Sequence, residues 1–452
     1  MWSGRSKKTS NFQMMKEPQT TGLRFLFSGR NRMIIHKITL EEVLSNREKR
    51  VYAQRELIKK YQKPILSCTM NIPGEVKQTP LIDFVFRQKM RDVCDAFSGE
   101  IIFEKWQSAN TGPEALFVMD SSVTDIKERA VSIESRSPIG RLLDLDVIDT
   151  DGVKRSRMEP RTCLVCNGPV TVCSRSRAHG LTAVKCAAWA ILTDYAGGQL
   201  AELAVDALKR EAVLTPKPGL VDGNNSGAHR DMDLGLLLRS ADSLKPYFRF
   251  CADFGFQQAP DINGLVNAGL EAEKTMLSHT GGVNTHKGAI YAMGLFLCAV
   301  ATNFLKGGDP FEISARLSVR QSAASARDSG SHGGIVQKKF QAGGAREEAM
   351  NGFPTARKGA VALMESQGDE LYALLKILED ICDTNLLYRG GANALVYVHT
   401  QVREILAMDP VERKDALLKM DQECIRLNIS PGGAADMLAL AFLISCSVPD
   451  IL

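Results

Sequence analysis

No apolar run in this 452-residue chain reaches the roughly 18–20 residues that a helix needs to cross a bilayer. The two most apolar stretches, Ala289 to Val300 and Ala434 to Val448, read instead as buried core helices, and no membrane partner is expected. The N-terminus has no h-region longer than the L-R-F-L-F fragment at 23–27, so it is not a secretory signal. The pattern G-x-x-x-x-G-K-[ST] is missing, which excludes a P-loop nucleotide site. Beyond residue 32 there is no excess of basic charge either. The formal charge of +4 comes from residues 1–32, which hold seven Lys/Arg against Glu17 alone, while the remainder carries −2. A basic face for nucleic acid is therefore not expected. Residues 1–32 read as a basic, disordered and dispensable arm, and Met33 offers a second start. Eleven cysteines without a signal peptide point to free thiols in a reducing cytoplasm.

This length exceeds what one hydrophobic core usually serves, so a multidomain chain is expected. From 33 to 190, elements of both kinds alternate. A Thr39/Glu42 capping box opens a helix to about Gln62, Ile65 to Ile72 reads as a strand, and a Thr79-Pro80 start leads a helix through Phe97. Short strands at 101–103, 115–119 and 145–148 and a helix at 123–134 complete an α/β or α+β domain. Residues 191–452 read as an all-α domain with Gly-rich ligand-binding loops, the junction falling near 180–195.

Three stretches carry chemistry. In G-R-L-L-D-L-D-V-I-D (140–149), Asp144 and Asp146 stand at i and i+2 of a strand and share a face, an arrangement that suits Mg²⁺ bridging a polyphosphate. Next, Cys163, Cys166, Cys173 and His179 offer three thiols and an imidazole, interleaved with Arg161, Arg175 and Arg177. A tetrahedral zinc site and a metal-free thiol cluster beside phosphate-binding arginines are both open readings, and zinc is not assigned. The third stretch, Leu214 to Asp233, combines stiffening prolines with turn glycines and crowds Lys217, Asp222, Asn224, Asn225, His229, Asp231 and Asp233 together. It reads as a binding loop; a surface loop ending in an Asp helix cap is the plainer alternative. Further Gly-Gly loops at 280–288, 383–391 and 430–436 would let backbone N–H groups approach an anion, with Lys287 and Arg389 adding charge, although each alone could be a helix cap.

T-M-N-I-P-G-E-V-K (69–77), T-G-P-E (111–114), G-R-L-L-D-L-D-V (140–147) and C-L-V-C…C-S-R-S-R-A-H (163–179) together resemble the apo-citrate lyase phosphoribosyl-dephospho-CoA transferase family. The resemblance implies transfer of a phosphoribosyl-dephospho-CoA group to a serine of the citrate lyase acyl carrier protein, with release of pyrophosphate. It makes Asp144 and Asp146 catalytic Mg²⁺ ligands and Lys77 and Arg141 phosphate contacts. The second half, with T-P-K-P-G-L-V-D, G-A-H-R-D-M-D, T-G-G-V-N-T-H-K-G, G-A-R-E-E-A-M-N-G-F-P and S-P-G-G-A-A-D, resembles the triphosphoribosyl-dephospho-CoA synthase family. That family joins ATP to 3′-dephospho-CoA with loss of adenine. Glu347 stands where the family has glycine and Ala434 where it has serine, and neither change removes a charged group. For this reaction the resemblance implies Asp222, His229 and Asp231 as catalytic groups and Asp233 as a further metal ligand. Lys217, Gly219, Asn225, Gly281, Gly282, His286, Lys287, Arg346, Arg389, Gly432 and Gly433 become substrate contacts, with His332 a further contact. A fused transferase and synthase would make and attach one prosthetic group; the equivalent malonate decarboxylase system, or a phosphotransferase fused to a zinc-dependent module, are the alternatives.

Overall fold

The computed structural model describes residues 36–157, 160–257, 261–324, 336, 339–340 and 342–452. The basic arm at 1–32 and His332 lie outside the described residues.

The expected capping box forms: the Thr39 side chain and Glu42 cap helix α1 (Leu40–Tyr61) reciprocally. Strand β1 (Ile65–Met70) follows, then α2 (Pro80–Ala96), started by Thr79 and Pro80. The hairpin β2 (Ile101–Ala109) and β3 (Gly112–Met119), helix α3 (Val123–Ser135), β4 (Leu143–Ile148) and the short β5 (Lys154–Arg155) complete the sheet. Its order is β2-β3-β1-β4-β5, antiparallel throughout. The run from β1 to β4 is thus the split β-α-β-β-α-β arrangement, and the class is α+β rather than α/β.

Alternation gives the sheet two unlike faces. Leu66, Cys68, Ala115, Phe117, Leu143, Leu145 and Val147 bury one face under Phe86, Met90 and Val93 of α2 and Ile126 and Ala130 of α3. The other face carries Ser67, Thr69, Glu114, Asp144 and Asp146, and only its far end is apolar, where Ile65, Leu116 and Ile148 meet Ile58 of α1.

Past the short α4 (Val170–Ser176), helix α5 runs unbroken from Leu181 to Val213. The junction expected at 180–195 therefore lies within one helix. The two parts also share apolar packing: Leu81, Phe84 and Val85 of α2 join the cluster of Leu192 and Ala196 of α5, and Phe84 packs against Phe304 in a tilted pair with ring centroids 4.9 Å apart. The remainder is helical: α6 (Leu234–Ser243), α7 (Lys245–Gly255), α8 (Ile262–His279), α9 (Lys287–Lys306), α10 (Pro310–Ala324), α11 (Gly344–Met350), α12 (Pro354–Glu365), α13 (Glu370–Leu378), α14 (Thr384–Ala407), α15 (Pro410–Arg426) and α16 (Gly432–Ser447). Helix α9 has the length and apolarity of a membrane span, longer than its sequence core implied, but 78% of that window is buried inside the protein, where it packs beside α16. The 383–391 segment, expected as a loop, is the first turns of α14 up to a kink at Gly391 (φ 65°).

Candidate active sites

Antiparallel register brings the N-terminal motifs into one row across the sheet. Thr69 stands opposite Glu114 on one side and Asp144 on the other, and Ser67 stands opposite Asp146. Helix α1 lies over this face, with Asn46, Arg50 and Gln54 at helical spacing. Arg50 contacts Glu114 at 2.6 Å, and Gln54 donates to Ser67 at 3.1 Å. Burial raises the Glu114 carboxyl despite Arg50 beside it. Beside these residues a groove of about 640 Å³ is lined by Lys49, Arg50, Lys105, Gln107 and Glu114.

Asp144 and Asp146 point to that same face and remain partly open, with side-chain exposures of 42% and 24%. Arg161 approaches Asp144 at 3.3 Å and Lys154 approaches Asp146 at 2.5 Å. Behind them Glu134, which the sequence reading passed over, is buried; it accepts the Leu145 N–H at 2.7 Å and contacts Arg161 at 2.6 Å. Its carboxyl is pushed up by burial, against that N–H and the arginines. The two other expected phosphate contacts have partners within the protein: Lys77 donates to the carbonyl of Ile72, and Arg141 holds the Asn167 side chain at 3.0 Å and the Thr162 carbonyl. Two carboxylates flanked by cations on an open face fit a hard divalent ion carrying phosphate.

In the helical part the 214–233 loop folds back on itself. Lys217 is 1% exposed and its ammonium pairs with the side chain of Glu211, at the end of α5, and with that residue's carbonyl at 2.6 Å. Asp222, also buried, accepts the N–H groups of Lys217, Asn224 and Asn225 at 2.7–3.0 Å. Asp421 binds the Gly219 N–H at 2.8 Å and the Asn225 amide at 2.9 Å. Lys217, Asp222, Gly219 and Asn225, expected as substrate and catalytic groups, make mutual contacts here that shape the loop: buried polar groups require partners, and each has found one within the protein. Asp233, expected as a metal ligand, caps α6 by accepting the Leu236 N–H at 2.7 Å. Asp231 stays exposed, 3.7 Å from His229.

Two further groupings gather expected site residues with other polar side chains. In the first, His229 contacts Ser430 at 2.9 Å and Arg389 at 3.3 Å, and Arg389 also reaches the Ala228 carbonyl at 3.1 Å. Burial, then Arg389, lowers the His229 imidazole below its usual value. The second gathers where α5, α9, α14 and α16 converge. His286, just before α9, is buried; it contacts Ser240 through Nδ1 at 2.9 Å, while Nε2 is buried without a hydrogen-bond partner. Burial and the charge of Lys217 bring it down to about 4. Asp383 accepts from Asn385 at 2.7 Å, Leu386 at 3.2 Å and Ala434 at 2.9 Å, so its carboxylate already fills the N-terminus of α16 that Gly432 and Gly433 were expected to open to phosphate. Asp436 accepts the Ala289 N–H. Although its side chain keeps some contact with solvent, desolvation holds its carboxyl well above the usual range, with Glu211 and Asp383 adding like charge. Gly288 makes this approach sterically feasible, because a Cβ there would lie 2.0 Å from Asp436 Oδ2.

The other expected contacts lie further out. Lys287 pairs with Glu273 at 2.9 Å, Gly281 and Gly282 form an open turn at φ 64° and 91°, and Arg346 stacks 5.9 Å over the Tyr291 ring. Glu211, Asp383, Asp421 and Asp436 were missed by sequence reasoning. Asp436 did carry a signal, as the lone charge in an otherwise apolar helix.

Residues 198–448 match the family model described as ATP:dephospho-CoA triphosphoribosyl transferase (CitG), and residues 38–195 match apo-citrate lyase phosphoribosyl-dephospho-CoA transferase (CitX). The Protein CitXG of Haemophilus influenzae is 33% identical over 448 residues, covering 89% of this chain and 95% of that protein. The chain belongs to the CitX and CitG families, one to each half. The Protein CitXG of Leuconostoc mesenteroides subsp. cremoris is 31% identical over 90% of this chain and 97% of its own length. A probable 2-(5''-triphosphoribosyl)-3'-dephosphocoenzyme-A synthase of Pseudomonas fluorescens is 41% identical across 54% of this chain and 90% of its own. This CitX–CitG fusion is a bifunctional transferase of citrate lyase prosthetic-group biosynthesis, making triphosphoribosyl-dephospho-CoA in one half and transferring phosphoribosyl-dephospho-CoA with the other. The matched segments meet inside α5, where the fold changes from sheet to helices.

Proposed function

We propose that the synthase reaction takes place around Asp436, Asp383, His286 and the His229–Arg389 pair, and the transfer reaction on the sheet face of Asp144 and Asp146. In the first, the 2′-hydroxyl of dephospho-CoA forms a bond to C1′ of the ATP ribose as the bond to adenine breaks. The hydroxyl loses a proton and adenine gains one, through a transition state of oxocarbenium character. A carboxyl kept protonated near neutral pH can give that proton, and the raised Asp436 carboxyl suits it. Burial raises the Asp383 carboxyl, while the backbone N–H groups that fix it oppose that rise and favour the charged form, which would place negative charge near the developing cation. The free Nε2 of neutral His286 is a hydrogen-bonding point for the nucleotide. Arg389 and Lys287 are the charges that face the intact triphosphate.

In the transfer half, a carrier-protein serine bonds to the phosphorus that carries the phosphoribosyl-dephospho-CoA group, and pyrophosphate leaves. Asp144 and Asp146 would hold Mg²⁺, which when bound neutralises charge on the departing pyrophosphate. Arg161 and Lys154, each already on one of these carboxylates, reposition toward the phosphates and hold the leaving group. Buried Glu134 anchors Arg161 in reach. The observation that carries this reading is the row of Glu114, Thr69 and Asp144, which unites three separated motifs on one sheet face, partly open at Asp144. The partners are ATP, 3′-dephospho-CoA and the apo acyl carrier protein of citrate lyase, in the cytosol. Incubation of the full chain with ATP, dephospho-CoA, Mg²⁺ and apo carrier should release adenine and increase the carrier's mass by one phosphoribosyl-dephospho-CoA group; ADP in place of adenine would overturn the reading.

A further inference from the structure

One constellation has no role in either reaction as proposed above. Cys163, Cys166, Cys173 and His179 bring their three sulfurs and one ring nitrogen within 4.8 Å of one another. Cys166 Sγ and Cys173 Sγ are 3.5 Å apart. Four ligands around a tetrahedral zinc, with Zn–S about 2.3 Å and Zn–N about 2.0–2.1 Å, sit about 3.5–3.8 Å from one another, so the observed spacing needs only slight contraction.

The backbone is shaped for the same purpose. Cys163 and Cys166 bound a tight turn in which the Cys163 N–H donates to the Gly168 carbonyl at 2.6 Å, the Asn167 N–H donates to the Cys163 carbonyl at 3.1 Å, and Asn167 takes the left-handed conformation at φ 59°. The Cys163 sulfur accepts the N–H of Val165 at 3.4 Å and that of Cys166, the pattern of donors that stabilises a thiolate. A bridge between Thr162 and Pro169 closes the turn. Cys173 comes from α4, and a left-handed cap at Arg177 reverses the chain so that His179 returns to the group. His179 Nε2 is buried and has no hydrogen-bond partner, a cost that coordination would remove.

We infer that Cys163, Cys166, Cys173 and His179 bind one structural Zn²⁺ ion. Four protein ligands leave no open position, so the ion is a clamp and not a catalyst. What it clamps is plain from the contacts on either side. Arg161, two residues before the first ligand, reaches Glu134 at 2.6 Å and Asp144 at 3.3 Å, and Arg141 ties Asn167 of the turn to the segment entering β4. The described residues from 156 to 180 include only a two-residue bridge and one short helix, with Cys163 as the single buried apolar side chain; an ion supplies the rigidity that a core would otherwise give. The zinc assignment stands apart from the transfer reading; only its consequence for Asp144 depends on that reading.

The test uses the full chain, freed of any metal-binding tag and purified in reductant. Elemental analysis should find one zinc per chain that survives gel filtration. Replacement by Co²⁺ should give the thiolate charge-transfer and visible bands of a tetrahedral sulfur site, and three thiols should become reactive only after chelation. Cys163→Ser and His179→Ala should lose the metal, while Cys186→Ser, exposed and outside the group, should keep it. If a variant fails to fold, the cobalt spectrum and thiol count of the wild-type chain still decide. Metal removal should weaken carrier modification and leave adenine release intact. A wild-type chain that takes up neither zinc nor Co²⁺ in excess, that shows all three thiols reactive without chelator, or that isolates with a Cys166–Cys173 disulfide overturns the inference; so does zinc retained by the Cys163→Ser/Cys166→Ser double variant.

Discussion

Replacing Lys217 with methionine separates a buried ion pair from a ligand-binding lysine. The ammonium is sealed against Glu211, with side-chain exposures of 1% and 6%, and Asp436 adds a second carboxyl to the same region. Lys217→Met keeps the length and apolar stem of the side chain but leaves the Glu211 carboxylate buried without its counter-charge. Breaking such a pair from one side costs about 3–5 kcal/mol, against less than about 1 kcal/mol for an exposed pair. For a helical part of this size, each kcal/mol moves the melting temperature by about 2–4 °C, so the variant should melt about 6–20 °C lower. Adding Glu211→Gln removes the orphaned charge and should recover most of the loss, giving a favourable coupling energy in a double-mutant cycle. Differential scanning calorimetry at neutral pH, alongside an adenine-release assay, is sufficient. Should Lys217→Met melt within about 2 °C of wild type while adenine release collapses, the lysine serves a ligand and the buried-pair account is wrong.

Two further outcomes follow from the same convergence of helices. Gly288→Ala would drive a methyl into Asp436 Oδ2 and should cut adenine release at least about tenfold with helix content preserved by circular dichroism, whereas unchanged turnover would remove Asp436 from the reaction. His286 has a folded value near 4 against about 6.5 unfolded, so the unfolded chain binds about one more proton between those limits. This contribution to stability is complete above about pH 6.5 and declines as pH falls toward 4. His286→Gln should therefore show a shallower loss of urea midpoint from pH 7 to pH 5 than wild type, and parallel curves would contradict the neutral, buried imidazole.

Much of the N-terminal fold was legible because its signals are local. The Thr39 capping box, the Thr79-Pro80 start and the i, i+2 pairing of Asp144 and Asp146 depend on neighbours in sequence. The continuity of α5 was not, because the shift to a helical composition suggested a domain junction near 180–195; in the structure one helix runs through it, with the side chains of Asp253 and Arg249 lying close over Gly197. The 383–391 segment misled as well: its Asp caps α14, and its Gly-Gly marks a kink inside the helix. The polar cluster of the synthase half was harder. Lys217, Asp222 and Asn225 look exposed and available in sequence, yet they are satisfied by Glu211, by the loop's own backbone and by Asp421, whose contact with Asn225 spans 196 positions. Spacing cannot announce such partners. The resemblance supplied the chemistry, while tertiary packing shows which of these carboxylates already hold partners within the protein.

The central claim is that two sites in one chain carry out successive steps, and Asp144→Asn tests it most directly. The substitution keeps the shape at β4 and removes a charge that pairs with Arg161 and that the proposed Mg²⁺ would need. With ATP, dephospho-CoA, Mg²⁺ and apo carrier supplied together, adenine release should continue at the wild-type rate while the mass of the carrier stays that of the apo protein. If Asp144→Asn abolishes adenine release as well, in a chain that still melts cooperatively, the two halves share one site and the account fails.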